Sequence, residues 1–248
     1  MTDHFPLMVP GGKTTSPLRE ISTPYDGTLL ATVDTADGSV AERALSTAYA
    51  LYRNRDAWLS SARRIDILRK VANLMQDRAE SLALEAAREG GKPLMDSRVE
   101  VARAIDGVLH CAELLRSEAG HVIPMNLNAA SMGRIAFTQR EPIGVVVAVS
   151  AFNHPLNLIV HQVGPAIAAG CPVIVKPAED TPLSCYRFVS LLRECGLPEG
   201  WCQAMGYRKY PLYRPTGDRR TRGLLQLYWE RCCRVDVALP ASSRSHAP

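Results

Sequence analysis

Ile143-Gly144-Val145-Val146-Val147-Ala148-Val149-Ser150-Ala151-Phe152-Asn153-His154-Pro155 and, one helix later, Ala169-Gly170-Cys171-Pro172-Val173-Ile174-Val175-Lys176-Pro177-Ala178-Glu179 decide the fold class of this chain. Residues 143–149 form a short apolar run rich in β-branched side chains, as expected of a strand buried on both faces of a parallel sheet. Pro155 opens an apolar helix at the position where a missing N–H costs nothing. Gly170 closes it, and residues 172–175 make a second buried strand. In a strand–helix–strand unit of this kind ligands bind beyond the carboxyl ends of the strands. Those ends carry Ser150, Ala151, Phe152 and Asn153 on one strand and Lys176, Pro177 and Glu179 on the next. The reading therefore gathers a short amide, a cation and a carboxylate around one crevice. Bland roles exist for each: Asn153 as a helix cap, Lys176 as a solvated lysine, Glu179 and Asp180 as charge at the start of the following helix.

Outward from this core, helical periodicity dominates residues 39–120. Val40, Ala44, Ala48 and Leu51 form one stripe, and Ile65, Leu68, Ala72 and Met75 another after Ser60 or Ser61 as N-cap. Residues 82–88 continue until Gly90-Gly91 and Pro93 break the pattern. Val101, Ile105, Val108, Ala112 and Leu115 mark a longer amphipathic helix ending at Gly120, and the Arg and Glu between the stripes read as solvated faces. Residues 1–38, rich in Pro, Gly and Thr, read as an extended N-terminal segment, with an extended stretch near 29–33. Within it Gly11-Gly12-Lys13-Thr14 imitates the end of a phosphate loop, but Leu7 stands where the first glycine belongs, so the segment is read as a loop. Residues 134–140 read as a strand, and a helix at 183–195 carries Leu183, Phe188, Leu191 and Leu192 inward. Only two strands of the parallel sheet, ending at Val149 and Val175, can be assigned, and such a remnant predicts marginal stability.

Phe152-Asn153-His154-Pro155 after one strand and Lys176-Pro177-Ala178-Glu179 after the next resemble, in register, the two N-terminal signatures of the aldehyde dehydrogenase superfamily. Residues 166–171 match its intervening helix end, and Glu89-Gly90-Gly91-Lys92-Pro93 matches its Glu-x-Gly-Lys-Pro turn, read as a helix-ending turn without chemistry. Ala151 stands where the family usually has Pro, and His154 where it has Phe or Tyr. The resemblance covers about Pro24 to Met205 and implies an α/β fold: an N-terminal helical segment and an incomplete Rossmann-like parallel sheet of the family's cofactor domain. It implies NAD or NADP as cofactor and a small aldehyde as substrate, oxidised to a carboxylic acid. Asn153 would donate its side-chain N–H to the developing oxyanion as the catalytic residue on this chain. Ser150, Ala151, Phe152, Asn153, Lys176, Ala178 and Glu179 would bind the cofactor, with Lys176 and Glu179 on the adenosine ribose. Glu179 disfavours a 2′-phosphate by repulsion while Lys176 favours it, so NAD and NADP both stand. The family is homo-oligomeric, and residues 121–141 correspond to its oligomerisation strand segment.

The family's chemistry also needs a Cys thiolate, which attacks the aldehyde to give a thiohemiacetal, and a Glu general base, in Gly-Gln-x-Cys and Glu-Leu-Gly-Gly contexts. Neither string occurs here, and none of Cys111, Cys171, Cys185, Cys195, Cys202, Cys232 and Cys233 has a nucleophile's setting. The chain itself is therefore expected to be inactive; the alternative is a non-catalytic cofactor-binding or oligomer-partner remnant.

The resemblance implies an extended segment (1–38) and a partial cofactor-binding domain (39–205), and where it stops the composition changes to a basic tail (206–248). The tail holds nine of the 29 basic and three of the 25 acidic residues, a net of +6 against −2 for the rest. Leu224 to Asp236, with codons read one nucleotide later, permits Phe-Phe-Ser-Phe-Ile-Gly-Ser-Ala-Ala-Ala-Gly-Trp-Met, in which Trp229 forces the first Gly. That string resembles the family's Phe-x-Gly-Ser-x-x-x-Gly turn, which holds the pyrophosphate at a helix N-terminus. A frame change near residues 205–207 is the expectation this raises. Tyr207, Tyr210, Tyr213, Tyr228 and Trp229 among the arginines also suit single-stranded nucleic acid, but a shifted frame accounts for the arginines, and no nucleic-acid partner is expected. No metal site is expected from the cysteine spacing. No run reaches membrane-spanning length and no leader pattern opens the chain, so a cytoplasmic, reducing location is expected, with no membrane partner.

Overall fold

The computed structural model describes residues 3–14, 17–117 and 119–207; the tail beyond residue 207, with the stretch 224–236 read in the shifted frame, lies outside them. Ten strands and six helices, with three short 3-10 turns, make up the described residues: β1 (Asp3–Phe5), β2 (Arg19–Ser22), β3 (Leu29–Val33), β4 (Thr35–Ala36), α1 (Gly38–Arg53), α2 (Ser61–Asp77), α3 (Ala79–Gly90), α4 (Leu94–Ser117), β5 (Val122–Ile123), β6 (Ala136–Phe137), β7 (Val146–Val149), α5 (Pro155–Ala169), β8 (Val173–Lys176), α6 (Leu183–Glu194), β9 (Cys202–Ala204) and β10 (Gly206–Tyr207). The α/β class expected from the sequence is the one observed.

The strand–helix–strand unit forms as its residues dictate. Pro155 occupies the first turn of α5, and Gly170 ends it in the left-handed conformation at φ 82°. β7 and β8 pair in parallel, Val149 opposite Lys176. β7 begins at Val146 rather than Ile143, with Gly144 at φ 152° before it. The sheet has three strands rather than two: β9 pairs in parallel with the far edge of β8, Ile174 opposite Gln203. Met8 then covers the open edge of β9 through paired backbone hydrogen bonds with Ala204 at 3.0 and 3.3 Å, so the N-terminal segment seals what would be a free edge.

That segment is also more ordered than loop. β3, over the stretch read as extended, pairs in parallel with β1 and antiparallel with β2, and β4 pairs with β10. Gly11 to Thr14 is turn and coil, as expected. The expected strand at 134–140 contracts to β6, paired with β5, and α4 ends at Ser117, before Gly120.

One apolar core joins the helices to the sheet. Leu68, Val71 and Met75 of α2, Ala104 and Val108 of α4, Ile159 and Val163 of α5, Phe188 and Leu192 of α6, and Val173 and Val175 of β8 are all buried in it. Ser60 caps α2, its hydroxyl accepting the Arg63 N–H. Gly91, at φ 62°, ends α3 in the left-handed conformation.

The solvated-face reading of the acids fails at two positions. Glu89 and Glu100 are 0% and 2% exposed. Both lie on the buried stripes of α3 and α4: Leu82, Ala86 and Glu89 share one face, and Ser97, Glu100, Val101 and Ala104 the other.

Candidate functional site

The helix N-termini that face the strand ends lack local caps. α5 begins after His154 and α6 after Pro182, and neither residue's side chain makes a capping hydrogen bond. Buried carboxylates from the helical layer supply what the local sequence omits. Glu100 Oε1 accepts the Leu156 N–H at 2.8 Å and the Asn157 N–H at 3.0 Å. Glu89 accepts the Leu183 N–H, the Ser184 N–H at 3.0 Å and the Ser184 hydroxyl at 2.7 Å. Each takes the place of an N-cap oxygen and sets negative charge against the positive end of a helix dipole. Burial still pushes the Glu89 carboxyl above its ordinary range, against the pull of these donors.

Lys92 completes the arrangement. Its ammonium pairs with Glu100 Oε2 and donates to the Asn153 backbone carbonyl at 3.4 Å, while the His154 ring lies 3.7 Å from the same carboxylate. The Gly91-Lys92-Pro93 turn does end a helix, as expected, but its lysine also anchors the turn after β7. Sequence reading missed Glu89, Glu100 and Lys92. The available signal was an acid at helical spacing on each apolar stripe.

His154 holds the N-cap position of α5 and Glu100 accepts its first amides, so Asn153 is not a cap. Its side chain is exposed and, among the described residues, makes no hydrogen bond. The rest of the turn is held by its surroundings. Thr181 donates its hydroxyl hydrogen to the Phe152 carbonyl at 2.9 Å, Gln162 donates to the Val149 carbonyl at 3.0 Å, and the Ser150 N–H donates to the Lys176 carbonyl at 3.0 Å. Those bonds bring the 150–153 turn beside the 176–181 segment. Ser150 and Ala178 are buried, Ala151, Lys176 and Glu179 half-buried, and Phe152 exposed. Glu179 does not cap α6, the role Glu89 fills; its Oε2 instead accepts from Arg19 Nη1 at 3.4 Å. Arg19 was not anticipated, because β2 lies 160 residues from Glu179 in the chain.

A concavity of about 710 Å³ lies elsewhere, between the Thr23 to Leu30 turn and the end of α3. It is lined by none of the residues expected at the cofactor site. Four of the five described cysteines are buried. Burial pushes the thiols of Cys185 and Cys202 up to about 12 and that of Cys111 to about 11. Among the described residues no cluster of His, Cys, Asp and Glu could hold a metal, and no helix is long and apolar enough to cross a membrane.

The profile of the aldehyde dehydrogenase family matches residues 12–209. The aldehyde-dehydrogenase-like protein y4uC of Sinorhizobium fredii is 36% identical over 182 residues, 72% of this chain and 35% of its own length. Aldehyde dehydrogenase 21 of Physcomitrella patens, solved in complex with the reaction product succinate, superimposes with a TM-score of 0.78 at 30% identity, covering 84% of this chain and 44% of its own. An NAD-dependent aldehyde dehydrogenase of Sinorhizobium meliloti superimposes with a TM-score of 0.76 at 27% identity, covering 85% and 42%. The chain thus spans well under half the length of each relative. Over the residues that form its described fold, it belongs to the aldehyde dehydrogenase family.

Proposed function

We infer that this chain is the part of an NAD(P)-dependent aldehyde dehydrogenase that seats the adenosine end of the cofactor and supplies the side-chain donor to the aldehyde oxygen. One observation carries the reading: the Asn153 side-chain amide lies exposed at the strand ends without a hydrogen bond among the described residues, while Glu100, reaching across from α4, accepts the first amides of α5. A side-chain donor without a partner among the described residues, on a turn anchored through its backbone, suits an oxygen that gains charge only during reaction. The Lys92 contact to the Asn153 carbonyl fixes the turn without consuming the side chain.

The residues present fit the dinucleotide. Glu179 keeps Oε1 free of hydrogen bonds among the described residues, ready to accept from ribose hydroxyls, and Lys176 closes the same strand end. Ser150, Ala151 and Phe152 form the floor of the turn, and Ala178 is small enough to let the ribose approach. NAD or NADP seated there would supply the hydride acceptor. The residues of this chain bind it, orient the aldehyde oxygen toward Asn153 and keep that amide poised.

Among the described cysteines none combines exposure with a place at the strand ends: four are buried, and Cys195, half-buried, follows the C-terminus of α6. None of the described cysteines is therefore assigned as the thiol that attacks the aldehyde, and turnover by this polypeptide alone is not expected. Titration calorimetry of the full chain with NAD and NADP, alongside Lys176→Ala, Glu179→Ala and Asn153→Ala, tests the reading. Cofactor binding should fall about tenfold or more in the first two and stay within about threefold in the third, since one lost charge-assisted hydrogen bond is worth about 1.5–3 kcal/mol. Dinucleotide binding indifferent to Glu179 and Lys176 would sink it.

A second reading, an oligomer-partner remnant, rests on the β5–β6 hairpin. Val122, Ile135 and Phe137 around it are 80%, 88% and 68% exposed, an apolar surface suited to further strands. Light scattering of the purified chain over a concentration range tests it; a strict monomer at all concentrations removes it.

A further inference from the structure

Glu179 at the ribose position argues, taken alone, for NAD, because a bare carboxylate repels a 2′-phosphate. It is not bare in this fold. Arg19, at the start of β2, reaches the segment after β8 and donates from Nη1 to Glu179 Oε2 at 3.4 Å. The distance is at the long end for a hydrogen bond, and the two side chains are 34% and 27% exposed, so the pair is weak and open to exchange with a ligand. It uses one of the guanidinium's five N–H donors and one carboxylate oxygen. The charges at this strand end are Lys176 and Arg19 against Glu179, with Asp180 exposed beyond it. The Asp34 carboxylate is engaged elsewhere, accepting the Leu7 N–H at 3.2 Å and lying 3.5 Å from His4.

We propose that Arg19 is a specificity-determining residue that draws Glu179 aside and offers its free N–H donors to a 2′-phosphate, so that this site takes 2′-phosphorylated dinucleotides at least as well as unphosphorylated ones. The proposal rests on the cofactor reading above. The notch between Arg19, Thr35, Pro177 and Glu179 has a volume of about 20 Å³, room for about one water. The phosphate therefore sits at its mouth, on the exposed edges of Arg19 and Lys176. A guanidinium matches phosphate geometry with two parallel N–H donors, which a lysine does not. Glu179 keeps Oε1 for the neighbouring ribose hydroxyl, so NAD is tolerated as well.

The test is calorimetric titration of the full chain and of Arg19→Ala and Arg19→Lys with NADP, NAD, 2′,5′-ADP and 5′-AMP, each variant first checked by circular dichroism. In the unsubstituted chain NADP should bind as tightly as NAD or tighter. Arg19→Ala should weaken NADP and 2′,5′-ADP about tenfold while moving NAD and 5′-AMP less than about threefold, and Arg19→Lys should fall between. An NAD preference of about tenfold or more in the unsubstituted chain overturns the assignment whatever the variants do, as does an unchanged NADP-to-NAD ratio in Arg19→Ala. Failure of all four ligands to bind overturns the cofactor reading itself and this assignment with it, whereas NAD binding without NADP binding overturns this assignment alone.

Discussion

The Lys92–Glu100 pair offers a quantitative test of how the turn bearing Asn153 is held. The carboxylate side chain is 0% exposed and the lysine 14%; together they join two helices and a strand end. Glu100→Gln keeps an oxygen for the Leu156 and Asn157 amides but turns an N–H group toward the Lys92 ammonium. Removing one partner of a buried pair costs about 3–5 kcal/mol, and this change should fall near the lower figure because the amide contacts survive. Lys92→Met leaves Glu100 its two amide donors and the helix dipole, so its cost should be smaller, about 2 kcal/mol. In the double variant no buried charge is left unpaired, and its cost should be less than the sum of the single costs by about 1–3 kcal/mol. Against a domain stability of about 5–15 kcal/mol each effect is measurable. The assay is equilibrium urea unfolding of the four proteins with linear extrapolation. Additivity to within about 0.5 kcal/mol would refute the claim that the two charges act as one unit; a double variant weaker than the sum would do so more strongly.

Glu89 should give the folded chain a distinctive pH dependence. Burial raises its carboxyl above its ordinary 4.5, so above that value the folded state holds a proton the unfolded chain releases, and stability falls as pH rises from about 4.5 through the folded value. Glu89→Gln should flatten that slope in urea titrations; an identical slope refutes it. Glu80 and Glu194, lowered by Arg98 and Arg78, act in the opposite sense below 4.5, so the windows do not overlap. Among the described thiols Cys195 should be alkylated first at about pH 8, and Cys185 and Cys202 only after unfolding, as peptide mapping would read out; rapid native labelling of Cys185 would contradict its burial. Gly170→Ala should lower stability by about 1–3 kcal/mol, because the position is at φ 82° and a Cβ would meet Pro142 at 3.1 Å and the Arg64 guanidinium at 3.3 Å; an unchanged unfolding midpoint would contradict this.

What the sequence revealed follows from how local each signal is. The β7–α5–β8 unit was legible because β-branched runs, Pro155 and Gly170 each act within a few residues, and the Ser60 cap and the α1 and α2 stripes for the same reason. β9 escaped notice because it is three residues long and carries Gln203 in its middle. That side chain is wholly buried and donates to the Ala44 carbonyl at 2.9 Å, a partner no nearby pattern points to. β1 and β2 were missed because their pairing with β3 depends on chain returns that periodicity does not record. At the site, the strand-end residues were placed on adjacent strand ends as expected. The residues that hold the turn, Lys92 and Glu100, come from another helix pair, and Arg19 from another sheet.

Capping across the fold also orders events in time. Glu89 and Glu100 are synthesised well before the amides they satisfy, which lie 94 and 56 residues further along. Until Leu156 and Leu183 have emerged and docked, α3 and α4 carry two carboxylates on the faces that must become dry, and apart from Lys92 beside Glu100 water holds them. The helical layer cannot close during translation ahead of the sheet, and the loop-closure entropy of those long separations falls on the folding step itself. A nascent chain stalled before residue 183 should therefore remain open to chaperones and proteases, however complete its helices.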